Sequence, residues 1–100
     1  MYDMANVKKM KAMKEAAPDV MAAFTAFDAA AFAAGAIPSR TKELIAIAVA
    51  VTTQCPYCIE IHAKRAKAAG CTDAEITEAS MVAAAIRAGG AVTHATHAIG

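Results

Sequence analysis

Glu43-Leu44-Ile45-Ala46-Ile47-Ala48-Val49-Ala50-Val51-Thr52-Thr53 is the stretch on which the fold turns. Ile45, Ile47, Val49 and Val51 alternate with alanine, the period of a half-buried strand. A strand needs a ladder partner for its backbone amides and carbonyls, and no other segment of the chain alternates well enough to supply one. The intervening residues are alanine, the best helix former. The segment is therefore expected to be a buried helix, apolar all round, with Glu43 its one acidic residue.

Outward from this helix the chain reads the same way. Upstream, Gly35 to Pro38 interrupt the pattern, and Ser39 is expected to cap the central helix. Val20, Phe24, Phe27 and Ala31 recur at helical spacing over residues 19–34, with Asp28 off that stripe. Residues 2–16 mix Met, Ala and Lys, as on a partly exposed helix. Downstream, Pro56 suits a first helical position and Gly70 a helix end, so Cys55 to Ala69 is expected to form the next helix. Thr72 with Glu75 three residues on is a capping-box pattern. It opens a helix with Ile76, Ala79, Met81, Val82, Ala85 and Ile86 on its apolar faces. Gly89-Gly90 is expected to break that helix near Ala88, leaving residues 91–99 for a short last one. The fold class is all-α, with five to six helices and short connections. One domain is expected over residues 1–100, with an N-terminal helix at about 2–17 and a core at about 20–98.

Composition narrows the function. The 100 residues are 58% hydrophobic and only 19% charged, more apolar side chain than so short a chain hides by itself. A core shared between subunits is expected. The net charge is +1, and the cluster Lys8, Lys9, Lys11 and Lys14 lacks interleaved aromatics, which argues against a nucleic-acid partner. Leu44–Val51 is too short an apolar run to span a bilayer. No basic stretch leads an apolar run near Met1, so no signal peptide is read. Three cysteines without such a signal point to the cytosol, where a close pair is redox or metal chemistry rather than a staple.

The chemistry gathers in Cys55-Pro56-Tyr57-Cys58-Ile59-Glu60-Ile61-His62. At about 100° per residue, Cys58 falls roughly 60° and His62 roughly 20° from Cys55 around a helix, so the three share a face and Glu60 points away. A helix start or a nearby imidazolium lowers a thiol's pKa and makes the reactive thiolate. A second thiol three residues off resolves a sulfenic acid or mixed disulfide before over-oxidation. His62, one turn after Cys58, is placed to take its proton directly or through a water. Glu43, buried beside His62, would orient the imidazole; the bland reading pairs it with Arg40 or Lys42 instead. Cys55, Cys58, His62 and Cys71 form a conceivable Cys3His zinc set, though Cys71 reads more simply as a small buried hydrophobe. His94 and His97, three apart near the end, read as surface or packing residues. Tyr57 is placed to shape access to the cysteines.

Glu43, eleven residues, then Cys55-x-x-Cys58-x-x-x-His62 resembles the signature of the alkylhydroperoxidase D-like branch of the carboxymuconolactone decarboxylase family. Pro38 to Ile45, Ala66 to Gly70, Asp73 to Ile76 and Glu78-Ala79 resemble its flanks, so the likeness covers about residues 20–98. The resemblance implies an all-helical subunit assembled into trimers or hexamers. It implies a thiol enzyme, a peroxidase or disulfide oxidoreductase, with Glu43, Cys55, Cys58 and His62 as its catalytic residues and no cofactor. Cys58 would be tied to the His62/Glu43 relay, with Cys55 its disulfide partner. The implied partners are a peroxide or disulfide substrate, an external dithiol on a lipoyl or thioredoxin-like protein, and a peroxiredoxin. The chain departs from the family's best-known peroxidase in its shorter length and in carrying Tyr57 where that enzyme has a His.

Two other readings share the motif. Cys-Pro-Tyr-Cys is also a glutaredoxin sequence, but that fold needs strands after the motif and a cis-proline, and no proline follows Pro56. The alternative to an enzyme is a helical assembly protein that uses the CxxC for redox sensing or zinc binding.

Overall fold

The structure, a computed structural model, describes residues 2–100, so residue 1 of the expected domain lies outside the described residues. A 3-10 segment, Met4–Lys9, leads into α1 (Met10–Ala16), α2 (Pro18–Phe32), α3 (Ser39–Thr53), α4 (Pro56–Ala68) and α5 (Asp73–Ala95); Thr96–Ala98 forms a last 3-10 turn. There is no strand among the described residues. The alternating stretch is helical, as the lack of a ladder partner required.

α3 is the central element, with α4 and α5 packed against it. It is not buried all round. Glu43, Ile47 and Ala50 form its buried side, one turn apart, while Ile45 and Val49 face outward at 46% and 55% exposure. The other helices, chiefly α4 and α5, cover only that one side. The core is correspondingly small: Ile47, Ala66 and Cys71, with Leu44, Val51 and Ile76 packed around them.

Two turns fix the α3–α4–α5 unit. α3 ends at Gln54, which takes a left-handed backbone (φ 56°, ψ 46°) and lets the Cys55 amide reach back to the Ala50 carbonyl at 3.1 Å. α4 ends in a Schellman motif. Gly70, at φ 91°, donates to Lys67 and Cys71 donates to Ala66 at 2.8 Å, placing the Cys71 side chain in the core. The capping box is formed: Glu75 N–H donates to Thr72 Oγ1 at 3.1 Å, and Thr72 N–H to Glu75 Oε1 at 2.9 Å. Arg40 locks this corner to the start of α3 by donating to Glu75 at 2.6 Å and to the Gly70 carbonyl at 3.2 Å.

Three further expectations are corrected. α5 runs straight through Gly89-Gly90. Neither glycine has a positive φ, and each costs a helix only about 1 kcal/mol relative to alanine, which alanine-rich flanks tolerate. The N-terminal segment is a 3-10 stretch followed by a short α-helix rather than one helix, and Asp3 caps its start by accepting from Ala5 N–H at 2.9 Å. Ser39 is a helical residue whose hydroxyl donates to the Phe32 carbonyl, and Pro38 holds the capping position. α2 forms where the helical spacing placed it, and its stripe faces outward: Val20, Phe24 and Phe27 are 63%, 52% and 71% exposed.

Candidate functional site

The tight Gln54 turn delivers Cys55 to the start of α4 as its capping residue, with Pro56 in the first helical position. Cys55 is extended (φ −96°, ψ 97°), so it lies outside the helical register that put it on one face with Cys58 and His62. Its side chain curls over the helix end instead. Cys55 Sγ accepts from the Cys58 amide at 3.4 Å and lies 2.7 Å from Cys58 Sγ. Both cysteines are free thiols, not a disulfide.

Their electrostatics are unequal. The hydrogen bond shared with Cys58, helped by the Cys58 backbone amide, holds the Cys55 thiol below the ordinary range. The same bond, then burial and the neighbouring Cys55 charge, pushes the Cys58 thiol up. The first charge on the pair therefore settles on Cys55, at the helix start where aligned backbone dipoles favour an anion. Ionising Cys58 as well requires a base.

His62 lines the same cavity as Cys58. Its Nδ1 lies 2.7 Å from Glu43 Oε2, with both side chains largely buried. A carboxylate oxygen accepts, so the bond is one that Nδ1–H donates to Glu43, and it leaves Nε2 as the ring nitrogen not engaged by the carboxylate. The Phe32 ring stacks on the imidazole at 4.8 Å between centroids and 11° between planes. Glu43 thus chooses His62 from the neighbouring helix rather than Arg40 or Lys42, which are bound to Glu75 and to the Ala33 carbonyl.

Cys58 and His62 line one cavity of about 630 Å³, walled by Val7, Met10, Phe24 and Ile61 and edged by Asp28 and Arg65. Cys55 is not part of its lining. A smaller depression of about 310 Å³ lies between α3 and α5, lined by residues that include Thr52, Ser80 and Arg87 but no Cys or His.

The remaining candidates fall away from this site. Cys71 is 5% exposed in the core, its Sγ 3.8 Å from the Arg40 carbonyl, so a Cys3His set is not assembled. No group of three or more metal-ligating side chains comes together among the described residues. His94 and His97 sit exposed at the end of α5 with ring centroids 5.9 Å apart, and His94 Nδ1 donates to the Gly90 carbonyl. Glu60 pairs with Lys64 at 3.5 Å and accepts from the Tyr2 hydroxyl at 2.7 Å, which pushes the Tyr2 hydroxyl up to about 12. Phe32, Asn6, Val7 and Met10 were not legible as site residues. Their contacts span tens of residues and follow no local period.

The sequence profile described as the carboxymuconolactone decarboxylase family matches residues 18–99. Uncharacterized protein 4 in cox locus of Paracoccus denitrificans is 53% identical over 77 residues, which are 77% of this chain and 69% of that protein. An uncharacterized protein of Haemophilus influenzae is 47% identical over 49 residues, 49% of this chain and 43% of its own length. The crystal structure of a protein from Methanobacterium thermoautotrophicum superposes with a TM-score of 0.83 at 38% identity, covering 88% of this chain and 99% of that one. None of the described helices is long and apolar enough to cross a membrane.

Proposed function

The chain belongs to the carboxymuconolactone decarboxylase family, and from that premise we propose that it reduces peroxides or disulfides through Cys55 and Cys58, with His62 and Glu43 as proton relay. The observation that carries the reading is the set of contacts Glu43–His62 at 2.7 Å and Cys55–Cys58 at 2.7 Å, with His62 and Cys58 opening on one cavity.

His62 Nε2 takes the proton from Cys58, the thiol that needs a base. The Cys58 thiolate attacks the distal oxygen of a hydroperoxide. The O–O bond breaks, Cys58 becomes a sulfenic acid, and the alkoxide leaves with a proton returned from His62. The Cys55 thiolate, whose proton has gone to solvent, then attacks the sulfenic sulfur and expels hydroxide, which takes a proton back from solvent and leaves as water. With a disulfide as oxidant, Cys58 forms the mixed disulfide and Cys55 resolves it. An external dithiol, on a lipoyl or thioredoxin-like protein, reduces the Cys55–Cys58 bond and returns both electrons. A peroxiredoxin is the further partner in this scheme, and the cytosol, which keeps thiols reduced, is the compartment that suits it. We also propose that the chain works as a homo-oligomer, a trimer or hexamer, on the strength of the apolar surface considered below.

Dihydrolipoamide-coupled turnover with hydrogen peroxide and an alkyl hydroperoxide tests the scheme. Cys58→Ser and Cys55→Ser should each abolish it, and His62→Gln should slow it by about 10²-fold, the usual worth of a positioned base. Full turnover in either serine variant overturns the proposal.

A further inference from the structure

The segment before residue 10 lies outside the family match, which begins at residue 18, yet it builds one wall of the site. Asn6, Val7 and Met10 line the cavity together with Cys58 and His62. The segment is tied down at the residue between the cysteines. The Tyr57 hydroxyl accepts from Asn6 Nδ2 at 3.1 Å and from the Asp3 amide at 3.4 Å. The Tyr2 ring meets the Tyr57 ring edge-on at 5.0 Å, and the Tyr2 hydroxyl donates to Glu60. Four separate contacts converge on one turn of α4.

We infer that residues 2–10 are a selectivity strap, latched on Tyr57 and Glu60, that admits small oxidants to Cys58 and keeps the disulfides of folded proteins away from it. The inference deepens the thiol reading above and rests on it for its consequence in turnover. A cavity of about 630 Å³ has the size of a small-molecule site. Attack on a disulfide requires the sulfur of the partner to approach the thiolate in line. A folded protein cannot bring its disulfide past a wall of Asn6, Val7 and Met10, whereas a hydroperoxide fits inside it. Cys55, partly buried like Cys58, lies outside the cavity lining, so the strap's wall does not stand between it and a protein-borne dithiol. Oxidant and reductant thereby meet the pair from different sides.

Thiol labelling tests the strap without requiring turnover. Wild type and Tyr2→Ala/Asn6→Ala are treated with N-ethylmaleimide or with a polyethylene-glycol maleimide, at single-hit conversion, and sites are mapped by mass spectrometry. In the variant the Cys58-to-Cys55 labelling ratio should rise by about tenfold with the bulky reagent, as expected on loss of two hydrogen bonds, and stay unchanged with the small one. Asn6→Ala alone should give a smaller rise of the same sign. Buried Cys71 reports folding: general loosening would label it and raise both reagents equally. An unchanged ratio, or an equal rise with both reagents, overturns the strap. A wild type with no turnover on any oxidant but with this labelling pattern would sink the thiol-enzyme reading and leave the strap standing.

Discussion

At the scale of single residues the site rests on an inequality between two thiols. Sequence spacing drew attention to Cys58 because His62 lies one turn on. The structure adds that the charge of the pair falls first on Cys55. That difference was not legible in the sequence, since it depends on Cys55 leaving the helical register to sit as a cap. Glu43 stood out as the one acidic residue of its apolar segment, but the sequence alone fitted a pairing with Arg40 or Lys42 nearly as well as one with His62, and the family resemblance tipped the reading. A pH titration of alkylation makes the inequality measurable. Only the thiolate reacts, so a lowered thiol becomes reactive at lower pH. Cys55 should react with iodoacetamide at a pH below that of an ordinary thiol, and Cys58 above it. In Cys58→Ala the hydrogen bond to Cys55 is lost and the Cys55 midpoint should move up. A midpoint that stays where it is would mean that the helix start alone sets it.

At the scale of elements, α3 and α5 teach opposite lessons. The helix at α3 was readable despite its strand-like alternation, because backbone hydrogen bonds must go somewhere and no partner strand existed. The end of α5 was misread, because two consecutive glycines look like punctuation. Both remain helical, and a Cβ at either position meets nothing within 4 Å. Gly89→Ala/Gly90→Ala should therefore stabilise the chain by about 1.5–2 kcal/mol, read as a rise in thermal midpoint. A loss of stability would show that these positions need glycine for a contact absent within one subunit. The capping box and the Schellman turn were legible in part, from Thr72, Glu75 and Gly70. The Arg40 bond that joins them was not, because it links residues 35 apart. It holds the Glu75 carboxyl down at about 2.

At the scale of the molecule the chain is more open than a compact monomer of its length. Its Cα radius of gyration is 16.7 Å, against about 13 Å for a compact chain of this length. Its surface is 7190 Å², where a compact monomer of this size exposes about 5,300 Å². No large side chain is fully buried among the described residues, and Phe27, Ile86 and Val92 are each more than 70% exposed. The apolar excess was visible in the composition; which faces carry it was not, since α2 has the same periodicity whether it packs within one subunit or against another. These faces are the basis for proposing a homo-oligomer. Sedimentation should give a trimer or hexamer for the wild type, and Phe27→Asp should shift it toward smaller species. A monomeric wild type at micromolar concentration would contradict the shared core.

Cys55 and Cys58 are proposed to act as one redox pair, and mass-spectrometric mapping of the reduced chain after one equivalent of hydroperoxide tests this most directly. The expected product is a Cys55–Cys58 disulfide within a single chain, with Cys71 still a free thiol. Oxidation confined to Cys71, or Cys55 and Cys58 both recovered as unreacted thiols, would contradict it.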